Sequence, residues 1–167
     1  MTDTRQMVTV TYLQMLDPAA LRPKPSPPGF EVAMVDPPEP GVNRRLYEKA
    51  GEPWQWTERL TWSSQQWTQY AEHPALHTWV ASLAGQEAGY FELESQAEGN
   101  VQIMYFGMVP EFIGRGLGGA MLTAAIQSAW AIPGARRVWL HTCTKDHASA
   151  LPNYRKRGFE VYKTETE

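Results

Sequence analysis

A glycine-rich turn joins an apolar run to an amphipathic helix, and it constrains the fold more than any other part of the sequence. Residues 108–122 read MVPEFIGRGLGGAML, with four glycines in the turn. Glycine leaves room for a ligand to contact the backbone, and the free N–H groups that begin a helix attract negative charge. The segment lacks the Gly-Lys-Ser/Thr of a P-loop and fits the dinucleotide fingerprint poorly. The turn therefore predicts either an anion-binding site or a tight turn that only packs a helix on its strand.

The spacing of apolar residues predicts the elements around this turn. The run at residues 101–109 is typical of a central strand that is covered on both faces. After the turn, one helical stripe is formed by Gly118, Met121, Leu122, Ala125, Ile126 and Ala129. Further strands are predicted at residues 8–15, 30–35, 77–83, 89–94, 137–143 and 159–163, with fraying after residue 163. Further helices are predicted at residues 43–50, 64–72 and 149–157.

Local signals predict several helix ends. Asn43 is expected to cap the first helix, and Ser63 or Ser64 to cap the second. Pro152 is tolerated in the first turn of a helix, where its missing N–H has no intrahelical partner in any case. This constraint predicts that the last helix begins near Ser149.

The composition narrows the class of protein. A chain of 167 residues that is 43% hydrophobic fits one domain with a sizeable core. A net charge of −3 without a clustered basic face argues against a nucleic-acid partner. No stretch approaches the roughly 20 apolar residues of a membrane span, and the first ten residues hold no apolar run of signal-peptide length. We therefore expect a cytoplasmic protein with neither a nucleic-acid nor a membrane partner.

A second pattern follows near the end of the chain. Residues 154–159 read YRKRGF, and Ala150 precedes the tyrosine by four residues. With Gly116 and Gly118 at the two small positions of the turn, the order and spacing over residues 102–159 resemble the GNAT superfamily of acetyltransferases. The resemblance implies an α+β GNAT fold, with a mixed, mostly antiparallel sheet of six or seven strands and about four helices. It also implies a single domain over residues 1–167, in which 1–75 form the acceptor side and 76–163 the core sheet and donor site.

The resemblance implies a site for acetyl-CoA as the acyl donor and no metal. The pyrophosphate would lie on the amides of the turn, and the pantetheine arm along the preceding strand, where two central strands splay. The donor-binding residues would be Phe106, Met108, Val109, Gly114, Arg115, Gly116, Leu117, Gly118, Gly119 and His147. Two positions depart from the family pattern. Ile113 replaces the glutamine or arginine that opens the turn, and His147 replaces a usual asparagine, so Arg115 is expected to compensate for the first and Asp146 with His147 to fix the turn into the last helix.

The resemblance also implies a catalytic tyrosine. Direct transfer of the acetyl group to an amine further requires a base. Tyr154 would donate a proton to the leaving thiolate; the alternative is an aromatic anchor for the last helix. The attacking amine must be neutral, so a carboxylate could accept its proton. Glu92 and Glu94 are the candidates because they share one face of a strand, and the alternative is a solvated strand edge. Thr142 occupies the position where some relatives carry a glutamate.

The candidates for the acceptor site are aromatic residues that precede the core sheet. Trp54 and Trp56 are hypothesised to line the acceptor site, against the alternative that the tryptophans of this region only fill the core. We expect N-acetylation of a small-molecule or peptide amine. The family's last strand is missing from the pattern, so the expectation is either that residues 8–15 occupy an extra edge of the sheet or that a partner chain supplies strands, as in a homodimer. Two rival functions are a non-catalytic acyl-CoA-binding module and an interaction protein whose glycine turn is only structural.

Overall fold

The computed structural model describes residues 8–54 and 56–166. Within these residues, seven strands form one sheet, and four α-helices pack on it. The strands are β1 (Thr9–Met15), β2 (Phe30–Met34), β3 (Leu76–Leu83), β4 (Gln86–Ser95), β5 (Asn100–Met108), β6 (Arg137–Cys143) and β7 (Glu160–Thr166). The helices are α1 (Pro40–Gly51), α2 (Ser64–Ala71), α3 (Gly118–Trp130) and α4 (Ala150–Lys156). The predicted α+β class, strand number and helix number are confirmed.

The sheet has the order β2-β3-β4-β5-β6-β1-β7. Strands β2 to β5 pair antiparallel in sequence, β5 pairs β6 in parallel, and β1 pairs antiparallel with both β6 and β7. The sheet is therefore mostly antiparallel, with its single parallel pair at the centre.

Strand β1 corrects an expectation. It does not occupy an extra edge, because it inserts between β6 and β7 and hydrogen-bonds to both. Its residues Leu13 and Met15 are 0% and 1% exposed. Strand β7 runs to Thr166, so the predicted fraying after residue 163 is also wrong. Fraying was expected because the predicted last strand ended at residue 163. In the structure, hydrogen bonds to β1 order the residues that follow.

Helix α3 packs its stripe against the centre of the sheet. The predicted stripe is buried from Met121 to Ala129, and the helix contacts β4, β5 and β6. It begins at Gly118, and Pro133 with Gly134 follows its end at Trp130. In α4, Pro152 lies in the first turn, as its missing N–H requires.

The two helices before β3 show how tertiary contacts override a local signal. Ser63 caps α2 as predicted, because its side chain accepts from the Gln66 N–H while the Gln66 side chain accepts from the Ser63 N–H. Asn43 does not cap α1. That helix begins one turn earlier at Pro40, and the buried Asn43 amide instead donates to Thr78 Oγ1 and to Glu92 Oε2.

The parallel pair at the centre of the sheet is short, and this positions the cavity. The β5–β6 ladder joins Asn100–Gln102 to Arg137–Trp139 and then ends. On its other side, β5 pairs Tyr105 with Glu92 and Ile103 with Leu93, which leaves Met104 bulged. From Ile103 onward the two strands diverge, and the β6-facing edge of β5 is open.

A substitution in β1 tests its central position. Leu13→Ala should lower the free energy of unfolding by about 2–5 kcal/mol, because it removes buried methyl groups and leaves a cavity. Leu16, just beyond the same strand, is 57% exposed, so Leu16→Ala should change stability by about 0.5 kcal/mol or less. Urea unfolding of both variants measures the difference. Equal, small losses for the two variants would show that β1 is not an inner strand.

Candidate functional site

One cavity of about 1430 Å³ passes through the opening between β5 and β6. On β5, the Tyr105 ring packs on Tyr47 of α1, with 5.3 Å between ring centroids, whereas the Phe106 ring packs on Tyr154 of α4, with 6.1 Å. Neighbouring residues of a strand point to opposite faces. Helices α1 and α4 therefore lie on opposite faces of the sheet, and the cavity connects the two.

The glycine turn forms one end of the cavity. Gly114 and Gly116 have φ angles of +84° and +76°, and a Cβ at either would have no atom within 4 Å. The positive φ angles explain the glycines, and the open space in front of them leaves the backbone accessible. Leu117, the residue before α3, makes no side-chain cap, so the first N–H groups of the helix have no capping side chain. This end of the cavity suits an anion.

Two basic residues that the sequence analysis missed lie beside the turn. A Cβ at Gly119 would be 2.5 Å from Lys24 Cδ and 3.2 Å from Arg157 Nη1. Both residues line the cavity, and Arg157 Nε is buried without a hydrogen-bond partner among the described residues. Lys24 is held there because its N–H donates to Thr123 Oγ1 of α3. Lys24 and Thr123 are 99 residues apart in the sequence, so no local pattern indicates this contact.

Most of the predicted donor residues line the cavity, but two do not. Those that line it are Phe106, Met108, Gly114, Gly116, Leu117, Gly118, Gly119 and His147. Val109 is buried beneath the turn, and its N–H donates to the Ala88 carbonyl. The Arg115 guanidinium lies over the Phe112 ring, 4.9 Å from its centroid and outside the cavity lining. Lys24 and Arg157 therefore occupy the place that was expected for Arg115.

Tyr154 lies inside the cavity on α4. The residue is 7% exposed and packs against Phe106 and Phe159. Burial, with a smaller contribution from the charge of Asp146, raises the pKa of the Tyr154 hydroxyl well above its ordinary value. No described residue hydrogen-bonds to this hydroxyl, and it is not sealed from the cavity. The hydroxyl is therefore a protonated donor at neutral pH that is accessible to a ligand.

The turn before α4 is fixed as expected. Asp146 Oδ2 accepts from the Thr142 hydroxyl and from the Cys143 N–H, and His147 Nδ1 accepts from the Ser149 N–H. The ring of His147 packs edge-on against Trp54, with 5.0 Å between centroids. His147, which is predicted to bind the acyl donor, and Trp54, which is predicted to line the acceptor site, are thus in contact at the cavity wall.

Trp56 forms part of the opposite wall. Its ring packs on Tyr47 and Tyr105 at centroid distances of 5.7 and 4.9 Å. A Cβ at Gly107 would approach the Trp56 ring to 2.8 Å, and one at Gly51 would approach the Trp56 Cβ to 2.5 Å. Both glycines therefore make room for this side chain. Trp54 and Trp56 line the cavity, whereas Trp67 is buried in the core.

Glu92 is fully buried and does not line the cavity. Its carboxylate accepts from the Tyr70 hydroxyl at 2.6 Å, the Asn43 amide at 2.7 Å and Arg59 Nη1 at 3.2 Å. Glu94 also lies outside the lining, and its Oε1 accepts from Gln96 Nε2. The structure therefore does not bring the two predicted base candidates to the cavity, and Glu92 is a buried counter-ion for Arg59.

Arg59 is the partner that sequence reasoning missed. Its guanidinium lies between the rings of Tyr70 and Tyr105, 4.0 and 4.2 Å from their centroids, and is 5% exposed. Trp62 contributes a third ring at 4.8 Å. Aromatic rings of this region thus enclose a cation of the chain itself, and the predicted acceptor residues Trp54 and Trp56 are not among them. Burial opposes the charge of Arg59, but Glu92, Tyr70 and Tyr105 together raise the pKa of Arg59 further above its ordinary high value.

No helix among residues 8–54 and 56–166 is both long and apolar enough to cross a membrane. Within the same residues, no three side chains of His, Cys, Asp or Glu converge as metal ligands.

A family model described as "Acetyltransferase (GNAT) family" matches residues 43–159, well over half of the chain. Solved structures share the fold. A GCN5-related N-acetyltransferase from Kribbella flavida is 21% identical with a TM-score of 0.69, and the match covers 93% of this chain and 55% of that one. A GCN5-related N-acetyltransferase from Sphaerobacter thermophilus is 18% identical with a TM-score of 0.72, covering 97% and 51%. The chain thus spans about half the length of these two proteins.

A third similar structure is an aminoglycoside acetyltransferase from an uncultured soil metagenomic sample. It is 15% identical with a TM-score of 0.64, and the match covers 77% of this chain and 87% of that one. None of the curated proteins compared with the sequence matches it.

The buried ion pair gives a test of the role of Glu92. Glu92→Gln should lower the free energy of unfolding by about 3–5 kcal/mol, because it leaves the Arg59 charge buried without a counter-ion. Adding Arg59→Met should recover part of the loss, because neither charge then remains. The exposed pair Arg45–Glu87 is the control, and Glu87→Gln should cost about 1 kcal/mol or less. A Glu92→Gln loss no larger than the control would contradict the assignment of Glu92 as a counter-ion.

Proposed function

Because the chain belongs to the GNAT acetyltransferase family, we propose that it transfers the acetyl group of acetyl-CoA to a primary amine by direct attack. The observation that carries the proposal is the cavity between β5 and β6, which joins a glycine turn with an open backbone on one face of the sheet to an aromatic wall on the other. A donor entering from α3 and an acceptor entering from α1 would meet at this opening.

The residues present fit the donor. The open backbone at Gly114 and Gly116, the uncapped start of α3, Lys24 and Arg157 together offer N–H groups and positive charge to a pyrophosphate. The open edge of β5 between Phe106 and Met108 offers backbone groups to the amides of a pantetheine arm. When bound, acetyl-CoA supplies an activated acyl group as a thioester.

Tyr154 is the proposed donor to the leaving sulfur. Its raised pKa keeps the hydroxyl protonated, so it can hydrogen-bond to negative charge that develops on the sulfur. An ordinary thiol has a pKa of about 8.5, far below that of the buried tyrosine. Full loss of the tyrosine proton is therefore unfavourable unless the attacking nitrogen releases a proton in the same step. Hydrogen-bond donation with prompt reprotonation is the role we assign to Tyr154.

A negative charge introduced at the glycine turn tests whether acetyl-CoA binds there. Gly116→Asp should raise the Kd for acetyl-CoA about tenfold or more relative to Gly116→Asn, because the aspartate repels the pyrophosphate, and a tenfold change is about 1.4 kcal/mol. Asn and Asp have the same shape and both tolerate a positive φ, so the pair isolates charge from backbone strain. Thermal-shift titration measures the effect, since a ligand at 100 times its Kd stabilises a protein by about 2.7 kcal/mol. A wild-type protein that acetyl-CoA does not stabilise would favour the interaction-protein alternative.

Removal of one hydroxyl tests catalysis. Tyr154→Phe keeps the ring packing and should lower kcat about 100-fold or more with the Kd for acetyl-CoA unchanged, because only the donor to sulfur is lost. Tyr162→Phe, at a 40% exposed residue outside the cavity, is the matched control and should be silent. Thiol release is followed with a panel of primary amines that includes an aminoglycoside, since one similar structure is an aminoglycoside acetyltransferase. Equal rates in wild type and Tyr154→Phe would leave Tyr154 as an aromatic anchor only.

A further inference from the structure

The cavity contains a carboxylate that has no part in the steps proposed above. Among the described residues that line it, the carboxylates are Glu58 and Asp146. Asp146 already accepts from the Thr142 hydroxyl and the Cys143 N–H, which fix the turn before α4. Glu58 is exposed, and the contact recorded for its carboxylate is one hydrogen bond from the Tyr105 hydroxyl, at 3.3 Å. It is therefore the cavity carboxylate that remains accessible to a ligand.

The segment that carries Glu58 is held in place by its neighbour. The Arg59 N–H donates to the Tyr47 hydroxyl at 3.1 Å, and its side chain is buried against Glu92 and the rings of Tyr70 and Tyr105. Two further backbone hydrogen bonds, from Leu60 to Thr57 and from Trp62 to Arg59, close the turn. Because Arg59 anchors the turn in the core, Glu58 is directed to the cavity from a fixed backbone.

Besides Arg59, the basic side chains that line the cavity are Lys24, Lys145, Lys156 and Arg157. Lys24 and Arg157 lie at the glycine turn, Lys145 lies before α4 and Lys156 lies on it, whereas Glu58 lies on Tyr105, beside the aromatic wall of Trp56. Arg59 is adjacent, but Glu92 neutralises it through a direct ion pair. The acceptor end therefore carries a negative charge without a paired cation among the described residues, together with ring faces that favour a cation. A protonated amine fits this end.

We propose that Glu58, and neither Glu92 nor Glu94, holds the ammonium of the acceptor and accepts its proton. The inference rests on the function proposed above. The acceptor arrives as R–NH3⁺, and Glu58 takes one proton to give R–NH2. The nitrogen lone pair forms the C–N bond to the acetyl carbon, and the C–S bond breaks with its electron pair on sulfur. The second nitrogen proton reaches the sulfur through the Tyr154 hydroxyl, and Glu58 releases the first proton to water. The products are the N-acetyl amine, CoA thiol and one proton.

Two isosteric acceptors separate this role from a structural one. 2-Phenylethylamine is protonated at neutral pH, whereas O-benzylhydroxylamine has the same shape, with oxygen in place of one methylene, and is neutral. Glu58→Gln should lower kcat/KM for 2-phenylethylamine about 100-fold or more, the size expected for a lost general base. It should leave O-benzylhydroxylamine nearly unaffected, because that nucleophile has no proton to lose before attack. Stability and the thermal shift with acetyl-CoA should stay at wild-type values.

Control variants make each outcome decisive. Glu52→Gln changes an exposed carboxylate of the same segment that lies outside the cavity lining, and it should act as wild type with both acceptors. Glu58→Asp should retain part of the activity with 2-phenylethylamine. Equal loss with both acceptors would reduce Glu58 to a structural residue, and a selective loss in His147→Gln but not in Glu58→Gln would transfer the role to His147. Wild-type protein that acetylates none of the amines in the panel described above, these two probes included, would instead refute the proposed function itself.

Discussion

The early end of one hydrogen-bond ladder determines where the cavity of this protein lies. Strands β5 and β6 pair over three residues each and then diverge, so the centre of the sheet opens instead of closing. A parallel pair normally continues because each unpaired buried N–H or C=O costs free energy. Here the cavity gives those groups access to solvent or to a ligand. The bulge at Met104 lies at the point where the strands begin to separate, and bulges commonly bend a strand and redirect its side chains.

The ion pair of Arg59 and Glu92 has a different role from the one that the pattern of carboxylates suggested. A buried pair of charges stabilises a fold weakly, but it is costly to break and it orders the groups around it. In this protein it lies beneath the aromatic wall of the cavity and draws Tyr70, Asn43 and the turn at residues 57–62 together. The pair holds the Glu92 carboxylate away from the cavity and at the same time fixes the backbone that carries Glu58.

Sequence reasoning succeeded where the signal is local. The glycine turn, the stripe of α3, the capping box at Ser63 and the place of Pro152 each depend on residues within a few positions of one another. The resemblance to a family supplied the order of the core elements. Sequence reasoning failed where the structure depends on contacts between distant parts of the chain. The insertion of β1 beside β6, the approach of Lys24 to Gly119 and the recruitment of Asn43 by Glu92 all join segments that no sequence window contains.

Amide hydrogen exchange along β5 tests most directly the central claim, that the donor binds in the opening between β5 and β6. Backbone N–H groups of residues 103–108 that face β6 have no strand partner there, so they should exchange quickly in the free protein. Acetyl-CoA should slow exchange in this segment and at residues 114–119, while the paired residues 100–102 stay protected throughout. Protection of the glycine turn alone would contradict the account, because the donor would then bind the protein without entering the opening in the sheet.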